Sequence, residues 1–181
     1  MDREYLTLEH IEKSFGGNRA LKDVSFSVKK GTVHVLAGEN GAGKSTVLKI
    51  LCGNYHADSG EIYLEDNKIV AANPRQAQDL GIAMVYQELT LVSELTVEEN
   101  LFLSIEPKNK FGLIDRKEVR KRILALMDEY DIHINPKAIA GRLSVAEQQM
   151  AEILKVLLKN PQIIILDEPT SSLQSEEVVK L

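Results

Sequence analysis

Nine consecutive residues carry the chemistry most plainly. Gly38-Glu39-Asn40-Gly41-Ala42-Gly43-Lys44-Ser45-Thr46 fits G-x-x-x-x-G-K-[ST], a loop built for polyphosphate. Glycine at 38, 41 and 43 predicts positive φ at those positions without a Cβ penalty. Successive N–H groups, those of Asn40, Ala42 and Thr46 among them, then converge into an anion nest. A helix opening here adds roughly half a positive charge at its N-terminus. Lys44 is placed to reach the β- and γ-phosphates, and the Ser45 hydroxyl to bind Mg²⁺.

Three further positions fit the same chemistry. Asp167-Glu168 follows the apolar run Gln162–Leu166, so Asp167 can hold Mg²⁺ through water. Glu168 is placed to orient or deprotonate an attacking water. An Asp-Glu pair after a strand is a weak pattern alone and gains weight downstream of a phosphate loop. Gln87 ends the apolar run Ile82–Tyr86, at the strand end where ligands bind in open α/β sheets. Phe15, in Lys13-Ser14-Phe15-Gly16, is either a small-sheet core ring or a ring that stacks on a base; spacing alone leaves both open.

These groups need elements to hold them. Val33–Ala37 reads as a strand into the loop, and Val47–Leu51 as a helix out of it. Residues 5–35 read as short strands, with a turn at Gly16-Gly17-Asn18 and clean alternation at Val24–Val28. Asp58-Ser59-Gly60 reads as a turn before Glu61–Leu64. Asn73 can cap a short helix with Pro74 in its first turn and Gly81 at its end. From Glu88 helices take over. Thr96/Glu99, Asp115/Glu118 and Ser144/Glu147 have capping-box spacing. Val119, Ile123, Leu126, Met127 and Tyr130 form one apolar stripe. Gln162–Leu166 is near-continuously apolar, as a parallel strand covered on both faces would be.

Composition bounds the rest. The 181 residues suit one domain or a large part of one, and a 44% hydrophobic fraction suits a globular core. A net charge of −5 argues against a nucleic-acid partner, which would need clustered Lys and Arg. The one cysteine, Cys52, rules out a disulfide framework, fits a reducing compartment and reads as a buried thiol. The N-terminus lacks a signal-peptide pattern, and no apolar run is long enough to span a bilayer, so a membrane role is expected to be peripheral.

Taken together, these residues resemble the ATP-binding subunit of an ABC transporter, over essentially the whole chain. Lys13–Gly16 matches the family's aromatic A-loop, which implies that Phe15 stacks on adenine. Tyr86-Gln87-Glu88 matches the Q-loop, whose Gln contacts Mg²⁺ and the attacking water. Leu143-Ser144-Val145-Ala146-Glu147-Gln148-Gln149 stands where the family has its LSGGQ signature. Leu166–Thr170 matches Walker B with its catalytic glutamate, and Ser171–Gln174 stands at the D-loop. Gly81–Leu89 and Gly112–Arg116 resemble the N-terminal ATPase half of bacterial monosaccharide importers of the ribose, galactose and xylose type. Val145 and Gln174 are usual in that half. Ala146 and Glu147 depart from the signature: they add bulk and negative charge where backbone amides approach a phosphate. Glu147 is expected to act also as a capping-box residue. The family's switch histidine lies beyond Leu181, so the chain reads as a fragment, expected to bind nucleotide with little turnover by itself.

The resemblance implies an α/β fold with three parts. Residues 1–87 form a P-loop (RecA-like) core with an antiparallel β-subdomain. Residues 88–160 form the helical signature subdomain, and residues 161–181 the Walker B strand and D-loop. The implied cofactors are ATP and Mg²⁺. The implied catalytic residues are Glu168, Gln87 and Lys44; the metal-binding ones are Ser45, Gln87 and Asp167. The implied nucleotide contacts are Phe15 and Gly38 through Thr46. The implied partners are membrane permease subunits, a second ATPase half, and indirectly an extracytoplasmic sugar-binding protein, at the cytoplasmic face of the membrane. Two rival readings accompany this one: a ribosome- or DNA-associated ABC ATPase, and a nucleotide-binding fragment without turnover.

Overall fold

The computed structural model describes residues 4–86 and 88–167. The chain divides between Ile82 and Ala83 into two compact units.

The first unit is built on a four-stranded antiparallel sheet, ordered β2-β1-β3-β4. Its strands are β1 (Glu4–Phe15), β2 (Asn18–Lys29), β3 (Ser59–Leu64) and β4 (Asn67–Ile69). Gly16 and Gly17, with φ of 52° and 87°, close the β1–β2 hairpin, a conformation that suits glycine at both positions. The sequence predicts short strands here, yet β1 and β2 each run twelve residues. The reason is an irregularity that hides their continuity. His10 and Asp23 both take φ of 53°, and the pairing register shifts between Leu8 and Ile11. The apolar spacing therefore steps from two residues, Leu6 to Leu8, to three, Leu8 to Ile11, while all three stay buried. The shift is bridged by His10 Nδ1 with Asp23 at 2.6 Å and by the His10 N–H donating to Ser25 Oγ at 2.8 Å.

Helix α1 (Lys44–Leu51) follows the phosphate loop and buries Val47, Ile50 and Leu51; Cys52 beyond it is buried too, as expected. Helix α2 (Pro74–Asp79) starts and stops as its sequence predicts. Asn73 Oδ1 accepts the Gln76 N–H at 3.0 Å, Pro74 is in the first turn, and Gly81 follows at φ 80°. One expectation fails. Residues 32–39 are irregular, and Val33 and Val35 are 94% and 77% exposed. A strand exists through its ladder, and none of the described residues pairs with Val33–Ala37. His34 is held by its ring, stacked on Phe26 of β2 at 5.4 Å.

Strand β5 (Ile82–Val85), buried at all four positions, crosses the division. It pairs with β6 (Ile163–Leu166) in a two-stranded sheet. The near-continuous apolar run of β6 predicts cover on both faces, but Ile164 and Leu166 are exposed and only Ile165 is buried. Among the described residues β5 is its sole strand neighbour.

The remainder of the second unit is helical: α3 (Val97–Phe102), α4 (Arg116–Glu129), a 3₁₀ turn (Ala140–Arg142) and α5 (Val145–Leu157). Val97 and Leu101, Ile123 and Met127, and Ala151 and Leu154 meet in one core. Both capping boxes at Thr96/Glu99 and Ser144/Glu147 form. The third is half a box. Asp115 accepts from the Lys117 and Glu118 N–H groups at 3.1 Å, but its own N–H already donates to the Pro107 carbonyl at 2.7 Å. Glu118 is thereby left to pair with Arg122 at 2.8 Å. Tyr130 also departs from the stripe: it sits past the last turn of α4 and is exposed.

Candidate nucleotide site

The phosphate loop passes directly into α1. Gly43 is the N-cap, in the left-handed region at φ 87°, and Gly41 lies at φ 85°. Gly43 is also crowded. A Cβ there would stand 2.6 Å from the Ala20 carbonyl oxygen and 2.6 Å from Leu21 Cδ2 on β2. The absence of a side chain thus seats the start of α1 against the sheet. Gly38 differs from expectation: its φ is not positive, and what it provides is clearance. A Cβ on it would lie 3.3 Å from the Ala42 Cβ, since the Ala42 N–H turns back to Glu39 O at 3.1 Å.

Gly43 offers no side-chain acceptor to the first turn of α1, and that turn holds no acidic residue. A helix end of this kind can accept an external anion. Lys44 arches over the loop, and its Nζ donates to Gly38 O at 2.8 Å and Glu39 O at 3.1 Å. An ammonium has three donors, so two carbonyls fix its position and a third donor remains for a ligand oxygen. Ser45 and Thr46 follow in the same turn, while Asn40 and Ala42 are on the exposed rim.

Phe15 ends β1 and is 42% exposed, so it is not the core ring that one reading allowed. Its ring meets Tyr55 edge-on, with centroids 5.1 Å apart. Tyr55 in turn lies under Lys49 Nζ of α1 at 5.7 Å, which ties the aromatic pair to the helix carrying the phosphate loop. The end of β1 is fixed from a distance. Asp58 accepts from Lys13 Nζ at 2.6 Å and from the Ser14 N–H at 2.7 Å. Those bonds, the lysine's first, hold its carboxyl below the usual carboxylate range. Lys13 Nζ also stands 5.4 Å from the Phe15 ring centroid. Tyr55 and Asp58 escape the sequence reading because each acts on a residue more than 35 positions away, with no local pattern to mark it.

The other candidate residues belong to the second unit. Asp167, half-buried, follows β6 directly, and its N–H donates to Val85 O at 3.3 Å. Ser144 caps α5. The Glu147 carboxylate folds back to accept from the Ser144 N–H at 2.8 Å and its hydroxyl at 2.9 Å. The capping role expected of Glu147 is therefore real, and its charge is spent on its own helix end. Val145 is exposed, Ala146 half-buried, and Gln148 Nε2 donates to Leu143 O at 3.0 Å. Gln87, Glu168 and the D-loop positions lie outside the described residues. Among the described residues no three His, Cys, Asp or Glu side chains converge on a metal-sized site.

A family model described as ABC transporter matches residues 21–171. The chain belongs to the ABC transporter family. It is 45% identical over 176 residues to ribose import ATP-binding protein RbsA 2 of Streptomyces avermitilis, covering 97% of this chain and 35% of the relative. It is 44% identical over 181 residues to arabinose import ATP-binding protein AraG of Mannheimia succiniciproducens, covering 100% and 36%. The chain thus spans about a third of the length of the curated relatives it matches. Among solved structures, a nucleotide-free ATP-binding cassette from an ABC transporter superposes with a TM-score of 0.85 at 29% identity. That match covers 98% of this chain and 74% of the other. The ADP conformation of the cassette MJ1267 superposes at 0.84, also at 29% identity, over the same shares. The fold is that of an ABC ATPase cassette, α/β with an antiparallel sheet and a helical part.

Proposed function

We propose that this chain is an ATP-binding half of a monosaccharide importer, hydrolysing ATP to drive a sugar through membrane permease subunits. The observation that carries it is the phosphate loop. A side-chain-free N-cap opens α1 against β2, and Lys44 is anchored over the loop by two carbonyls. The ribose- and arabinose-import relatives supply the substrate class.

On this reading Lys44 gives its third donor to the β- and γ-phosphates, and the N–H groups from Gly38 to Thr46 take the remaining charge. Phe15, backed by Tyr55, stacks on adenine. Ser45, Asp167 and Gln87 would hold Mg²⁺, which would supply charge compensation to the phosphates when bound. Glu168 positions the attacking water and accepts its proton. Ser144–Gln148 faces the phosphates held by a second ATPase half. Residues 1–87, 88–160 and 161–181 are the nucleotide core, the signature subdomain and the Walker B segment of one such half. No helix among the described residues is long and apolar enough to cross a membrane. A permease would therefore provide the path, with this half docked peripherally at its cytoplasmic side and a sugar-binding protein across the membrane.

The test is uptake by proteoliposomes holding the full-length ATPase and its permease subunits. ATP-dependent accumulation of a pentose or hexose, abolished by Lys44→Ala, is the expected result. ATP turnover that no monosaccharide stimulates, with no uptake, overturns the reading.

A further inference from the structure

Glu152 is a buried carboxylate, 7% exposed, on α5 about two turns beyond Ser144. Its partner is 62 positions away. Glu152 Oε1 accepts from both the N–H and the hydroxyl of Thr90, the hydroxyl at 2.7 Å. Lys155, one turn further along α5, donates to Thr90 Oγ1 at 3.0 Å and lies 3.7 Å from Glu152 Oε2. The Thr90 hydroxyl is therefore donor to one side chain of α5 and acceptor from another. Two residues on, Asn100 of α3 takes the Val92 N–H at 2.7 Å and donates to Val92 O at 3.0 Å. Leu91 between them packs on the helical core. The stretch that begins after Gln87 is thus pinned at Thr90 to α5 and at Val92 to α3.

Simple packing would not call for this arrangement. Desolvating a carboxylate is costly, and an apolar side chain would seal the same contact without that cost. What directional bonds add is fixed register: an apolar contact can slide, whereas a carboxylate bound to a backbone N–H and a hydroxyl cannot without leaving charge unpaired. We propose that Glu152, through Thr90, is a positioning residue that makes residues 88–92 and the signature helix α5 one rigid piece. A displacement at 88–92 then reaches Ser144 as a movement of the whole helix. The proposal rests on the transport reading above.

The test uses the full-length ATPase with its permease in proteoliposomes, comparing wild type with Glu152→Ala, Glu152→Gln, Thr90→Ala and Thr90→Ser. Glu152→Ala is expected to lower sugar-stimulated ATP turnover and uptake by about 10- to 100-fold, the scale of a mispositioned catalytic group. Its KM for ATP should stay within about twofold of wild type, because nucleotide binding is untouched. Glu152→Gln, which keeps an oxygen for the Thr90 N–H, should recover most of the loss. Thr90→Ser should match wild type and Thr90→Ala should not. If Glu152→Ala does not fold, the Thr90 pair decides. The positioning role is overturned if Glu152→Ala couples normally, if its loss follows ATP affinity or melting temperature, or if Thr90→Ser fails like Thr90→Ala. A wild-type protein whose turnover ignores sugar overturns the transport reading instead.

Discussion

Gly43 and Gly41 share a backbone conformation and differ in their surroundings. At Gly41 a Cβ would meet nothing within 4 Å; at Gly43 it would collide with the β2 backbone. Gly41→Ala should therefore cost only the left-handed strain, about 1–2 kcal/mol. Gly43→Ala carries that strain and must also push α1 off the sheet. Urea unfolding should rank Gly43→Ala as clearly the less stable, with ATP binding lost; equal stabilities would show that the crowding at Ala20 relaxes freely. Asp58 gives a pH-dependent counterpart. Its folded carboxyl lies below the ordinary range because Lys13 and the Ser14 N–H hold the charged form. Its stabilising contribution is complete above the unfolded value, near pH 4, and fades as pH falls through the lowered folded value. Asp58→Asn should thus lower the melting temperature at neutral pH, with the gap to wild type closing in acid. A gap of constant size from neutral to strongly acid pH would contradict this.

At the level of elements, α5 depends on a reciprocal cap. Ser144→Ala should cost about 1 kcal/mol of stability. Glu147→Gln, which can still reach back to the Ser144 N–H, should cost a few tenths, about the scale of a surface change. Chemical denaturation of the two variants checks both, and a Glu147→Gln loss as large as that of Ser144→Ala would mean that the carboxylate's charge holds the helix end. Such caps were readable in advance because they are local: a donor, an acceptor and a spacing of three. The same holds for Asn73-Pro74 and for the stripe through Val119, Ile123 and Met127. What escaped the sequence depended on distant chain. Val33–Ala37 has strand composition, but pairing makes a strand, and no described residue pairs with it. The length of β1 was masked by one irregularity at His10, which breaks the alternation. In the site, the left-handed backbone at Gly41 and Gly43 was legible in the sequence. Gly38's role was not, since it depends on how closely Ala42 folds back. Asp58, Tyr55 and Glu152 act on residues dozens of positions away, and no spacing announces them.

For the whole molecule, the proposed architecture pairs this half with a second one, so two composite sites form. One joins Gly38–Thr46, Gln87 and Glu168 to the other half's signature. The other joins this chain's Ser144–Gln148 to the other half's phosphate loop. Val145 is bulky and exposed where close approach is needed, and the Glu147 charge is turned onto its own helix cap. The first site should therefore carry most turnover. In the full-length transporter, Glu168→Gln should nearly abolish ATP hydrolysis and uptake, and the equivalent change in the second half should do less. A second-half variant that is the more crippled would reverse this assignment of the two sites.

All of this depends on a phosphate loop that binds nucleotide through Lys44. Titration calorimetry of MgATP into this chain and its Lys44→Ala variant measures that contact directly. Loss of a charge-assisted bond of roughly 1.5–3 kcal/mol should weaken binding by about 10- to 150-fold. Equal affinities for the two proteins would contradict the nucleotide site described here.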